Sequence, residues 1–156
     1  MSDPRIDKLA DILVRYSTAV RPDDKVLIGG ETTAEPLLKA VYAKVLEAGG
    51  HPLLLPSLPG VERLLYGLGS DEQLKHIPEP IKLATETYDV RINIRGAANT
   101  KSLSNVDPAR MVLRNRAQTD LMRTFMKRSA SGALRWVSTL FPTNAYAQDA
   151  EMSLSE

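Results

Sequence analysis

Few side chains in this 156-residue chain could do chemistry. There are two histidines, His51 and His76, and no cysteine. The missing thiols exclude disulfides, Cys-ligated zinc, iron–sulfur centres and a cysteine nucleophile, as in a cytoplasmic protein. His51 and His76 lie on different predicted elements, and no HExxH pair is present to put two imidazoles on one helix face. Asp23 and Asp24 could touch a cation, but the preceding Pro22 already explains them as turn residues. Ser57, Ser102, Ser104, Ser129 and Ser131 fall in loop or helix-end contexts, and no GxSxG elbow presents a nucleophile.

Two further patterns could bind rather than react. Gly29-Gly30 sits after a predicted strand and before a predicted helix, where a nucleotide-binding fold places its phosphate loop. The run Gly29-Gly30-Glu31-Thr32-Thr33-Ala34 matches neither GxGxxG nor the P-loop pattern, and Glu31 and Glu35 would repel phosphate. The second pattern is cationic. The formal net charge is +1, yet residues 82–135 carry 11 Lys/Arg against 4 Asp/Glu. Arg110, Arg114 and Arg128 fall on one flank of a predicted apolar stripe, and Arg116, Arg123 and Lys127 on the other. Cations flanking an apolar stripe read as snorkelling side chains of a core helix. The alternative is a free-standing anion- or RNA-binding module that uses the basic 95–128 region, with Arg95 and Lys101 in the adjoining loop.

The elements that must position these residues alternate between helical and strand signals. Asp3-Pro4 reads as an N-cap and first helical proline. Ile6, Leu9, Ala10, Leu13, Tyr16 and Val20 then recur at helical spacing. A strand is predicted over 26–28, running into the two glycines. A helix follows over 32–48, capped by Thr32 or Thr33, with Leu37, Leu38, Val41, Tyr42, Val45 and Leu46 inward. Residues 51–56 read as a second buried strand, with Pro52 and Pro56 at its ends. Short helical pieces are expected over 60–69, 70–77 and 80–87. Alternation over 89–95 predicts a half-exposed third strand. A polar loop, 96–106, leads to Asp107-Pro108, which opens one long helix to about 131–132, with Met111, Leu121, Met122, Phe125 and Met126 on its apolar side. Residues 134–140 are a fourth strand candidate, and a short helix runs from Pro142-Thr143 to Ala150.

This order predicts an α/β fold, a mostly parallel sheet flanked by helices in a Rossmann-like sandwich. No apolar run approaches the roughly 20 residues that span a bilayer, and the N-terminal residues lack the apolar stretch of a signal peptide. Ser153-Leu154-Ser155-Glu156 has the spacing of a capping box, which would start a further helix.

Longer stretches resemble one family. Asp3-Pro4-Arg5-Ile6, Lys8-Leu9-Ala10, Ile12-Leu13-Val14 and Tyr16-Ser17 resemble the opening helix of the thermophilic-type metallo-aminopeptidases, the aminopeptidase T and aminopeptidase S family. Val20-Arg21-Pro22-Asp23-Asp24-Lys25-Val26-Leu27-Ile28 is similar to that family's first turn and strand, with Asp23 where the family commonly has glycine. Ala48-Gly49-Gly50-His51-Pro52, Ile92 to Lys101, Leu103 to Pro108 and Trp136 to Thr143 resemble later segments in the same order, as do Ala145, Ala147-Gln148 and Met152-Ser153-Leu154.

The resemblance implies residues 1–142 as an N-terminal α/β domain and residues 143–156 as the start of a connection to a C-terminal catalytic domain. It implies a peptide substrate, two divalent metals (zinc, cobalt or manganese) in the full-length parent, and a homodimer; from the residues themselves no nucleic-acid or membrane partner is expected. The family's metal ligands and catalytic glutamate match no position here. No catalytic, cofactor-binding or metal residue is therefore expected within this chain, and on its own it should be inactive.

Overall fold

The structure, a computed structural model, describes residues 3–155. Four strands, β1 (Lys25–Glu31), β2 (His51–Ser57), β3 (Val90–Arg95) and β4 (Arg135–Leu140), form one sheet in the order β2-β1-β3-β4. Every pairing is parallel, with Ile28 level with Leu54 on one side and Ile92 on the other, and Ile92 level with Val137. The α/β sandwich expected from the sequence is present.

The first helix, α1 (Pro4–Asp11), starts as predicted: the Asp3 carboxylate accepts the Arg5 amide at 2.9 Å and Pro4 opens the first turn. It then widens into a π turn, Ile12–Ser17, in which the Thr18 amide reaches back to the Leu13 carbonyl. The looser winding corrects the expected stripe. Val14 and Thr18 are buried, whereas Tyr16, placed inward by periodicity, is 85% exposed.

Helix α2 (Glu35–Glu47) follows a short 3₁₀ turn, Thr32–Ala34. Leu37, Leu38, Val41 and Val45 pack on Val26, Ile28, Val90, Ile92 and Ile94 with α1, and this layer is the hydrophobic core. Each of these side chains contributes roughly 1.5–3 kcal/mol by leaving water. Tyr42 and Leu46, also predicted inward, lie on the exposed side. Neither Thr32 nor Thr33 caps α2. The Thr33 hydroxyl instead donates to the Gly96 carbonyl.

β2 also departs from expectation. The sequence suggests a buried strand, but β2 has a neighbour on one side alone, and Leu53 and Leu55 are left half-exposed. Pro52 and Pro56 suit that edge position, because proline cannot donate to a ladder.

Residues 61–130 form five further helices, the third and fifth of which line a cavity over the other face of β3 and β4. These are α3 (Val61–Leu68), α4 (Asp71–Lys75), α5 (Glu79–Thr87), α6 (Pro108–Ala117) and α7 (Thr119–Ala130). The single long helix expected from Asp107 is two helices, separated at Gln118. On α7, Leu121 and Phe125 face the sheet, Met122 borders the same cavity, and Met122 and Met126 are each 58% exposed. Last, α8 (Asn144–Asp149) is capped by the Thr143 hydroxyl, which accepts the Tyr146 amide. The possible capping box at Ser153 depends on Glu156, which lies outside the described residues. No described helix is long and apolar enough to cross a membrane.

Candidate functional site

In an open parallel sheet the chain leaves neighbouring strands in opposite directions at one point, and a crevice opens there beyond the carboxyl ends. Here β1 connects outward to β2 on one side, while β3 and β4 lie on the other. The loops after β1 and β3 are stitched together by the Thr33–Gly96 hydrogen bond. Gly96 suits that seam, because a Cβ there would lie 2.8 Å from Thr33 Oγ1 and 3.2 Å from Ala34 Cβ. Gly30 serves a similar purpose inside β1, where a Cβ would lie 2.5 Å from the Ile94 carbonyl oxygen. The two glycines, disfavoured as a phosphate loop by their sequence, belong to the strand, and close packing explains the second of them.

Beside the seam lies a crevice of about 710 Å³. Glu31 ends β1, Ser57 ends β2, Glu62 stands on α3, Asn99 lies in the loop after β3, and Arg114 and Gln118 come from α6 and its end. Neither the Glu31 nor the Glu62 carboxylate has a hydrogen bond or ion pair among the described residues. Burial raises the neighbouring Tyr66 phenol above its ordinary value, Glu62 adds to the rise and Arg114 opposes it. The Ser57 hydroxyl donates to the Gly30 carbonyl at 3.3 Å, and no histidine lines the crevice. The arrangement offers charge and shape to a ligand, without an activated nucleophile.

The cations singled out in the sequence divide between two roles. Arg110 donates to the Tyr66 and Gly69 carbonyls at the end of α3. Arg114 Nη1 donates to the Leu74 and His76 carbonyls at the end of α4, at 2.9 and 2.8 Å. Arg128 Nη1 donates to Thr85 and Tyr88 at the end of α5, at 2.8 and 2.7 Å. Each guanidinium thus satisfies orphan carbonyls at the negative end of a helix dipole. The opposite flank, Arg116, Arg123 and Lys127, faces water, with Arg123 paired to Asp120.

The histidines stay apart. His51 Nε2 lies 3.5 Å from Asp23 Oδ1, with both side chains largely exposed. That pair stands at the start of β2, at the sheet edge opposite the crevice. His76 follows α4, where its carbonyl receives Arg114. Among the serines, the Ser131 hydroxyl donates to Arg128, and the buried Ser129 hydroxyl has no partner among the described residues.

The family model described as thermophilic metalloprotease (M29) matches residues 2–156. The chain belongs to that family. Among solved structures, this M29 chain is similar to wild-type AmpT from Thermus thermophilus, with a TM-score of 0.77 and 16% identity. The match covers 93% of this chain and 38% of AmpT, so the chain spans well under half of that protein's length. Two weaker matches are the CurK enoyl reductase (TM-score 0.40, 14% identity, 96% of this chain and 58% of that one) and an alcohol dehydrogenase superfamily protein from Novosphingobium aromaticivorans (TM-score 0.38, 13% identity, 83% and 50%). No curated protein matches the chain.

M29 membership implies a metal in the enzyme, but the described residues do not fit one. No three of their His, Asp and Glu side chains converge to hold an ion. A catalytic zinc takes three protein ligands, and the His51–Asp23 pair supplies two at most. No catalytic step is therefore assigned to a metal on this chain.

Proposed function

We propose that this chain is the N-terminal supporting domain of a two-metal aminopeptidase that releases N-terminal residues from peptides. One observation carries the reading: the metalloprotease family model fits residues 2–156, while the chain spans 38% of AmpT. Residues 1–142 form the domain and residues 143–156 lead toward the catalytic part. The two divalent metals (zinc, cobalt or manganese) and the catalytic base belong to that part, where metal-activated water attacks the peptide carbonyl. The full-length enzyme is a cytoplasmic homodimer.

The domain's role is to shape substrate access and to take part in assembly. Leu58, Val61, Leu64 and Leu68 form an apolar row on and before α3, each more than half exposed. Such a row beside an open crevice is the surface expected where a second folded body packs. Glu31 and Glu62 supply negative charge complementary to the free ammonium of a peptide's first residue.

The test is turnover of leucyl and arginyl chromogenic substrates by this chain and by a longer parent, with cobalt, zinc or manganese added. Activity confined to the parent is expected. Activity in this chain would overturn the reading and make His51 and Asp23 the first residues to replace. A parent lacking residues 1–142 should discriminate less between short and long peptides. Unchanged discrimination would remove the access role.

A further inference from the structure

The side chains facing the helices from β3 and β4 leave a second cavity, of about 360 Å³, beneath α7. Arg91 and Asn93 of β3 and Trp136 and Ser138 of β4 form its floor, and Leu121 and Phe125 of α7 form its roof. Arg91 is unlike the capping arginines. Its guanidinium makes no hydrogen bond or ion pair among the described residues, and its one close partner is the Phe125 ring, 5.6 Å from its central carbon. Burial lowers its basicity below the ordinary arginine value, and no neighbouring charge offsets that. A guanidinium has five N–H donors and no acceptor, so withdrawing it from water without a partner is unfavourable. The aromatic face recovers part of that cost.

The rest of the lining is also short of anions. No Asp or Glu faces the cavity from α5, α7, β3 or β4. Asn93 Nδ2 and Ser138 Oγ stand 3.5 Å apart, at the limit of a hydrogen bond, so both retain donor capacity. Gln118 adds an amide at the rim, with no side-chain partner among the described residues. Phe125 and Trp136 meet at 60° with centroids 5.6 Å apart and form an aromatic wall.

We propose that this cavity is a binding site for a small carboxylate that carries a single aromatic or branched apolar group. The carboxylate accepts from the Arg91 fork, with Asn93 and Ser138 as further donors, and the apolar group lies against Phe125 and Trp136. The volume is at the small end of the range for ligand pockets, which suits one such group rather than an extended chain. The inference is independent of the aminopeptidase reading, because Arg91, Asn93 and Ser138 line none of the carboxyl-edge crevice, which shares Gln118 alone with this cavity.

Trp136 is the only tryptophan in the sequence, so its fluorescence reports on this cavity alone. The 156-residue chain would be titrated with phenylacetate and with its neutral isostere phenylacetamide, at constant ionic strength. Saturable quenching by phenylacetate is expected, with the amide about tenfold or more weaker, as loss of a charge-assisted pair predicts. Arg91→Gln should abolish the difference between the two probes, and Arg91→Lys should weaken phenylacetate binding while keeping the preference. Without ligand, Arg91→Met should melt at the same temperature as the parent chain or higher, since it removes an unpaired cation kept for binding. Equal response to both probes, no response to phenylacetate, or a clear fall in the melting temperature of ligand-free Arg91→Met would each overturn the proposal.

Discussion

Arg135 Nη2 donates to Asp24 Oδ2 at 2.6 Å, and this pair ties the first residue of the last strand to the turn before the first. Both side chains are mostly buried, at 24% and 12% exposure. Asp24 also accepts the Arg21 amide, and Arg135 Nη1 donates to the carbonyls of Thr18 and Ala19 that end the π turn. The pair therefore connects the start of the last strand to the π turn and the β1 turn, more than 110 positions away. Arg135→Ala leaves a buried carboxylate short of a partner and should cost about 2–3 kcal/mol, read as a lower urea midpoint. Arg135→Lys should recover only part, because an ammonium cannot fork between Asp24 and two carbonyls.

The capping arginines give a second prediction. Arg114→Ala and Arg128→Ala should each destabilise by about 1–3 kcal/mol, because each leaves carbonyls at a helix end unsatisfied. Arg116→Ala and Lys127→Ala, on the solvent flank, should stay within about 0.5 kcal/mol. Thermal melts of the four variants check this. Equal melting temperatures would remove the division between the two flanks.

Close backbone approach gives a third. Gly96→Ala forces a methyl against Thr33 and Ala34, and Gly30→Ala forces one against the Ile94 carbonyl. Overpacking of this kind typically costs about 1–3 kcal/mol. Gly30→Ala should be the worse of the two, since its neighbour is central-strand backbone, whereas the Thr33 hydroxyl can rotate away. Denaturant titrations would rank them.

Asp23 has a left-handed backbone, with φ of 67°. Glycine takes that conformation without the steric penalty of a Cβ. Asp23→Gly should therefore be neutral or stabilising by up to about 1 kcal/mol, and Asp23→Val destabilising. Separating His51 from the Asp23 carboxylate matters little by comparison, because both side chains are exposed. A melt in which Asp23→Gly falls well below the parent would show that the ion pair outweighs the backbone.

The pH prediction concerns Tyr66. Burial chiefly, with help from Glu62, makes the folded phenol hold its proton more tightly than the unfolded one. The folded state binds more protons than the unfolded state between the ordinary tyrosine value, near 10, and the raised one. Its stabilising contribution is therefore complete below that ordinary value and is lost as pH climbs through the raised one. Urea melts across alkaline pH should show the decline, and Tyr66→Phe should flatten it. Phenolate absorbance of the folded chain should show Tyr66 among the last of the five tyrosines to ionise.

Much of the architecture was legible because it depends on local rules. Asp3-Pro4 opened α1 where an N-cap and a first-turn proline allow it, and Asp107-Pro108 did the same for α6. All four strands lie where apolar runs or, for β3, apolar–polar alternation put them. Burial was less legible, because it depends on what packs alongside. The run from Leu53 to Leu55 is apolar enough for a central strand, and only the sheet order makes it an edge. Tyr16 follows helical spacing, yet a π turn rotates it into solvent.

The sequence by itself determined the fold class, the order of the elements and the family, since periodicity, caps and ordered motifs are properties of neighbouring residues. Only the tertiary structure decided what the charges do. Arg91, Arg114, Arg128 and Arg135 are alike in sequence. Three of them reach helix-end carbonyls 38 to 117 positions away, and Arg91 reaches none. Likewise, Glu31 and Glu62 share a crevice because a parallel sheet gathers the carboxyl ends of its strands at one edge. Those pairings arise when distant segments meet, and sequence spacing carries no record of them.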